Sequence, residues 1–195
     1  MKVAFLDRDG VLNFEKGYVY KIKDFKFIAG SVDALKGIQA LGYKIIIITN
    51  QSGIAKGFYT EEEYQKLTAF YLDKLKNFGL EILDVLHCPH HPEAIIQEYR
   101  VICNCRKPKP GMIEIATKNY SIDLSASFLI GDKISDLISG LRAGIGYNAL
   151  VKSGHPIDMK KLDPKIDVYK DLGHFYSAYL LKRNNKPDNL TLDLI

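Results

Sequence analysis

Apolar residues in this chain fall into short solid runs separated by longer stretches with a helical period. The solid runs include Val3 to Leu6 and Ile45 to Ile48, and Ile82 to Leu86 is apolar apart from Asp84. A run of that kind suits a strand buried on both faces. It predicts strands at Val3–Leu6, Lys44–Thr49, Ile82–Leu86, Ser127–Ile130 and Gly146–Val151, with a short sixth at Asp167–Tyr169. Between them, Val32, Leu35, Ile38 and Leu41 sit at helical spacing, with Ser31 placed to cap and Gly42 to close. Thr60 and Glu63 read as a capping box opening a helix to about Phe78, ended by Gly79. Pro110 suits the start of a helix to about Tyr120, and another runs from beyond Asp132 to about Ala143, stopped by Gly144. Leu172 to Lys182 reads as a closing helix.

Strands alternating with helices imply an α/β fold, Rossmann-like, with a mainly parallel sheet and helices on both faces. No insert after the first or third strand is long enough for a separate cap domain. Residues 1–183 are expected to form one domain, and 184–195 a C-terminal tail in which Leu190 to Ile195 alternates like a strand.

Composition narrows the class. A formal net charge of +4 is compatible with phosphorylated ligands but too small to argue for nucleic acid. The first strand begins almost at once, so no signal peptide fits, and Ile45 to Ile48 is too short to span a membrane. Three cysteines, all between positions 88 and 105, argue against a disulfide framework and for a reduced, cytoplasmic setting.

The chemistry gathers where strands end. The first strand runs into Asp7-Arg8-Asp9-Gly10. Side chains two apart on a strand point the same way, so both carboxylates can converge beyond the sheet's carboxyl edge, where α/β sheets bind ligands. Two close carboxylates repel, and Mg2+ is a natural neutralising partner. One can then act as nucleophile while the other handles protons. Thr49, Asn50, Gln51 and Ser52 put short polar groups at the second strand's end, and Asp132 with Asp136 puts two acids near the fourth's. The stretch between Gly10 and Gly30 shows little helical period, and a loop of that length is often functional.

Cys88-x-His90 and Cys103-x-Cys105 form two x-spaced pairs. Such a Cys3His set makes a closed tetrahedral zinc site. His91 could serve by chemistry alone, but the spacing favours His90. Arg106, Lys107 and Lys109 follow among prolines, a basic loop fixed beside the metal and suited to phosphate.

Asp7-x-Asp9, Thr49, Lys107 and Gly131-Asp132 with Asp136, in that order, resemble the four motifs of haloacid dehalogenase superfamily phosphatases. Gly17-Tyr18-Val19, Phe25-x-Phe27-Ile28-x-Gly30, Thr49 to Gly57, Cys88-Pro-His-His-Pro92 and Cys103 to Pro108 resemble more closely the D-glycero-D-manno-heptose 1,7-bisphosphate 7-phosphatases, over roughly residues 1–156. The resemblance implies removal of the C7 phosphate in the supply of ADP-heptose for lipopolysaccharide. It implies Asp7 as nucleophile, Asp9 as general acid/base, and Thr49 and Lys107 on the phosphoryl group. It implies Mg2+ on Asp7, the Asp9 carbonyl and Asp132, with Asp136 behind them. Zn2+ is implied on Cys88, His90, Cys103 and Cys105. Glu15, Lys16, Gly17, Tyr18, Asn50, Gln51, Ser52, Arg106 and Lys133 are implied to recognise a small phosphorylated sugar, with no nucleic acid or membrane partner, in a monomer. A histidinol-phosphate phosphatase shares the motifs and a zinc loop. A phosphoacceptor receiver module is further off, because its acceptor ends the third strand, which here runs into Cys88.

Overall fold

A computed structural model describes residues 1–160 and 162–184. Six strands form one parallel sheet: β1 (Val3–Leu6), β2 (Lys44–Asn50), β3 (Ile82–Cys88), β4 (Phe128–Gly131), β5 (Tyr147–Val151) and β6 (Val168–Tyr169). The spatial order is β3-β2-β1-β4-β5-β6, with every pairing parallel. The chain starts in the middle, builds out to β3, then returns to the other side of β1. The strand order therefore reverses between β1 and β4, and a crevice opens at their carboxyl ends.

Alternation along the strands divides the core between two faces. Ala4, Leu6, Ile45, Ile47, Phe128 and Ile130 point to one face, against α1 (Ser31–Ala40), α2 (Glu61–Asn77) and a C-terminal helical segment. Val3, Phe5, Ile46, Ile48 and Leu129 point to the other, against α3 (Gly111–Asn119) and, beside it, α4 (Ile134–Ala143). This is why the second strand reads as four consecutive isoleucines: each is almost fully buried. Every such side chain contributes roughly 1.5–3 kcal/mol relative to exposure.

The capping box of α2 forms, with Thr60 Oγ1 accepting from Glu63 N at 3.1 Å and Glu63 Oε2 accepting from Thr60 N at 2.9 Å. Gly144, at φ 83°, closes α4. Ser31 departs from expectation: Gly30 occupies the cap position of α1, and the Ser31 hydroxyl instead donates to Leu12 O at 3.1 Å. That bond ties the helix start to the loop after β1. β3 runs two residues past its apolar run, because pairing with β2 continues to Asn50 and Cys88. The loop between Gly10 and Gly30 holds one 3-10 turn, Ile22–Asp24, and bridges Asn13 to both Asp9 and Phe27. The predicted closing helix is broken into α5 (Leu172–Phe175), a π-helical turn (Tyr176–Leu180) and α6 (Leu181–Asn184). The alternating stretch Leu190 to Ile195 lies outside the described residues.

Candidate active site

Asp7 is the first residue beyond β1, and its N–H donates to Ile130 O at 3.0 Å, extending the β1–β4 pairing by one step. This fixes its carboxylate at the crevice. Asp7 Oδ1 accepts from Arg8 N at 2.8 Å and lies 3.0 Å from Lys107 Nζ. Lys107 Nζ also reaches Asp136 Oδ1 at 2.6 Å and donates to Ile48 O at 2.8 Å. Burial works against the Lys107 charge, but Asp136 and Asp7 outweigh it and hold the ammonium above the usual lysine range. Burial pushes the Asp7 carboxyl up to about 8; Lys107 opposes this, and Asp136, Asp132 and Asp9 add to it. A carboxylate held in that environment calls for a further cation.

The residues fit one. Asp7, Asp132 and Asp136 each offer an oxygen, all within 4.8 Å of one another. Asp132 Oδ2 accepts from His155 N at 2.8 Å and lies 2.6 Å from His155 Nδ1. Its Oδ1 is buried with no hydrogen-bond partner among the described residues. An orphaned carboxylate oxygen facing other carboxylates suits a hard divalent cation. Asp136 has less to offer, since Oδ1 meets Lys107 and Oδ2 accepts from Lys133 N at 2.9 Å. Two glycines allow this crowding. A Cβ on Gly10 would stand 2.5 Å from Asp132 Oδ2, and one on Gly131 would stand 2.2 Å from Asp136 Cβ.

The Asp9 carboxylate lies beside the cluster but turns toward the loop after β1. Arg8 grips it, with Nη2 2.7 Å from Oδ2 and Nε 3.1 Å from the same oxygen. Asn13 Nδ2 donates to Oδ1 at 2.9 Å, and Gln51 Nε2 to Oδ2 at 3.1 Å. Gln51 Nε2 also donates to Thr49 Oγ1 at 2.8 Å.

A cavity of about 210 Å³ opens over these groups. Of the residues singled out in the sequence, Asp7, Asp9, Glu15, Gly17, Tyr18, Thr49, Asn50, Gln51, Ser52, Lys107, Lys133 and Asp136 line it. Asp132 lies buried beneath. Lys16 is exposed and does not line it. Arg106 does not either: its Nη1 donates to His90 O at 3.2 Å, turning the guanidinium to the cysteine loop. Three lining residues escaped the sequence reading: Tyr59, Ser135 and His155. His155 follows the end of β5, so the strand-end rule extended to that strand would have found it. Tyr59 carries no local signal, because only the fold brings it to Gln51.

Cys88, His90, Cys103 and Cys105 come together, with Cys88 buried in the sheet. Cys88 Sγ lies 3.5 Å from Cys103 Sγ and 3.2 Å from Cys105 Sγ. His90 Nδ1 lies 3.7 Å from Cys88 Sγ and 3.4 Å from Cys105 Sγ. A tetrahedral zinc with sulfur at about 2.3 Å and nitrogen at about 2.0 Å requires edges of about 3.5–3.8 Å, so the set fits zinc with slight expansion. His91 points elsewhere, accepting from Glu93 N.

A family model described as Polynucleotide kinase 3 phosphatase matches residues 2–166. A D-glycero-alpha-D-manno-heptose-1,7-bisphosphate 7-phosphatase of Photorhabdus laumondii is 56% identical over 80% of this chain and 85% of that protein. A D-glycero-beta-D-manno-heptose-1,7-bisphosphate 7-phosphatase of Escherichia coli K12 is 37% identical over 94% of this chain and 95% of that protein. The crystal structure of a D,D-heptose 1,7-bisphosphate phosphatase from B. bronchiseptica, complexed with magnesium and phosphate, superposes with a TM-score of 0.82. It is 27% identical and covers 93% of this chain and 99% of that one.

Proposed function

We infer the reaction from the family to which this chain belongs, the haloacid dehalogenase-like D-glycero-D-manno-heptose-1,7-bisphosphate 7-phosphatases. The chain removes the C7 phosphate of the heptose bisphosphate, a step toward ADP-heptose. One observation carries the reading: a nucleophile-competent carboxylate, a buried lysine and an orphaned acid meet at the reversal point of the sheet.

Phosphoryl transfer is mostly positioning and charge stabilisation. Asp7 attacks phosphorus through Oδ2, since Oδ1 is engaged by Arg8 N and Lys107. An Asp7–phosphorus bond forms as the bond from phosphorus to the C7 oxygen breaks, and Asp9 gives that oxygen its proton. Asp9 then takes a proton from water, which attacks the aspartyl phosphate and frees Asp7. Lys107 balances charge on the equatorial oxygens. Thr49 accepts from Gln51, so its own proton is left to donate to the phosphoryl group. A Mg2+ held by Asp7, Asp132 and the Asp9 carbonyl, with Asp136 orienting Lys107 behind, would supply further charge neutralisation when bound. Zn2+ on the Cys3His set would have no open position and would serve to fix the loop carrying Lys107.

A difference within one organism bears on the anomer. The chain is 56% identical to the Photorhabdus enzyme named for the alpha anomer and 44% to the one named for the beta anomer. We therefore propose the alpha anomer as the better substrate. Three clustered free thiols fit a reducing cytoplasm. Among the described residues, no helix is long and apolar enough to cross a membrane.

The test is phosphate release from both anomers and from histidinol phosphate. The alpha bisphosphate should give the highest kcat/KM, with phosphate lost from C7. A preference for histidinol phosphate would overturn the substrate assignment.

A further inference from the structure

Tyr59 stands one contact removed from the reacting groups. Its hydroxyl donates to Gln51 Oε1 at 2.5 Å. Burial pushes its phenol above the usual tyrosine range, so it remains a donor at any working pH. Gln51 is itself buried, and both hydrogens of its amide are spent, one on Asp9 Oδ2 and one on Thr49 Oγ1. An amide can turn over at little steric cost. Turned over, Gln51 would aim Oε1 at a carboxylate, where repulsion would displace Asp9. The Tyr59 hydroxyl is the donor that opposes this turn.

The surroundings are built to bring it there. A Cβ on Gly53 would stand 2.1 Å from the Tyr59 ring, so only glycine at that position lets the ring reach Gln51. The ring stacks on Tyr20, with centroids 5.0 Å apart and planes 11° apart.

We propose that Tyr59 is a positioning residue for proton transfer, holding the Gln51 amide so that Nε2 faces the Asp9 carboxylate. This rests on the reading of Asp9 as the general acid. The role predicts dependence on the leaving group. A sugar alkoxide needs a proton as it leaves, whereas the phenolate of p-nitrophenyl phosphate does not. Any share of the effect passing through Thr49 is common to both substrates, so the excess on the sugar reports Asp9.

The experiment compares kcat/KM of wild type, Tyr59→Phe, Asp9→Asn and the double variant on heptose bisphosphate and p-nitrophenyl phosphate. Phenylalanine keeps the stack and removes only the hydroxyl. Tyr59→Phe should cost about tenfold on the sugar and at least about fivefold less on the aryl ester, a part of the 10²–10⁴ ascribed to general acids. In the Asp9→Asn background it should cost little more. Equal losses on the two substrates, no loss at all, or full additivity with Asp9→Asn would overturn the proposal while leaving Asp9's role intact. If Asp9→Asn itself shows no leaving-group dependence, the general-acid reading falls, and Tyr59's role with it.

Discussion

Asn50 and Lys107, 57 residues apart in sequence, clasp each other twice: Asn50 Oδ1 accepts from Lys107 N at 3.1 Å and Asn50 Nδ2 donates to Lys107 O at 3.0 Å. The clasp joins the end of β2 to the loop after the cysteine cluster. Both bonds involve the Lys107 backbone, so they set where its ammonium enters the crevice. Each is worth about 1 kcal/mol net.

Asn50→Ala should therefore lower kcat by up to about thirtyfold, since loss of the clasp amounts to about 2 kcal/mol of positioning. The melting temperature should move little, because Lys107 Nζ keeps Ile48 O, Asp7 and Asp136. Hydrogen exchange should rise at residues 105–109 and nowhere in the sheet. Unchanged exchange in that loop would show that the clasp is not what anchors it.

The raised Asp7 carboxyl gives a pH prediction. In the unfolded chain it releases its proton near 3.8; in the folded, metal-free protein it holds it to about 8. The folded state thus binds the extra proton between those values, and stability falls as pH rises through that window. A divalent cation on Asp7 must expel that proton. Calorimetry of Mg2+ binding in two buffers of different ionisation enthalpy should show release of up to about one proton at about pH 7 and almost none at about pH 10. Equal release at both pH values would mean that Asp7 is not the group discharged.

The strand ends were legible because solid apolar runs stop abruptly at Asp7, Thr49 and Asp132, and alternation with helices leaves few sheet orders. Those three residues meet because their strands are adjacent. The cysteine spacing likewise carried the whole cluster. Side-chain direction was not legible. Nothing in Cys105-Arg106-Lys107 tells that neighbouring cations point apart, Lys107 into the crevice and Arg106 to the His90 carbonyl. That choice belongs to Asn50 and the fold of the loop. Ser31 was misread as a cap for a similar reason, since the Leu12 carbonyl that takes its hydroxyl lies 19 residues upstream.

Recognition of the second phosphate should accordingly rest more on Lys133 than on Arg106. Lys133 lines the cavity at the start of α4, whereas Arg106 does not line it. An exposed cation meeting a phosphate contributes about 1–3 kcal/mol as a charge-assisted contact. Lys133→Ala should raise KM for the bisphosphate about tenfold and leave p-nitrophenyl phosphate within about twofold, while Arg106→Ala should have the smaller effect on the bisphosphate. Steady-state kinetics on the two substrates decides it, and the reverse order of effects would return the second phosphate to Arg106.

The cysteine cluster should act on turnover only through the loop it closes. Residues 89–105 bury little apolar surface: Ile95 and Ile102 are 72% and 82% exposed. Such a segment needs a staple, and structural zinc supplies about 10–16 kcal/mol in small finger peptides, far more than ordering this loop requires. Cys88 lies in the sheet and Cys105 stands two residues before Lys107, so the metal would tie the loop's two ends together. Lys107 has a second anchor in Asn50 on the sheet side. Cys105→Ser should therefore lose zinc and raise exchange across residues 89–105, yet reduce kcat only about tenfold. Combined with Asn50→Ala, it should cost more than the product of the single losses, because each anchor covers for the other. Metal analysis, hydrogen exchange and a double-mutant cycle measure this. Purified active protein without zinc, or a cycle that multiplies cleanly, would separate the cluster from Lys107.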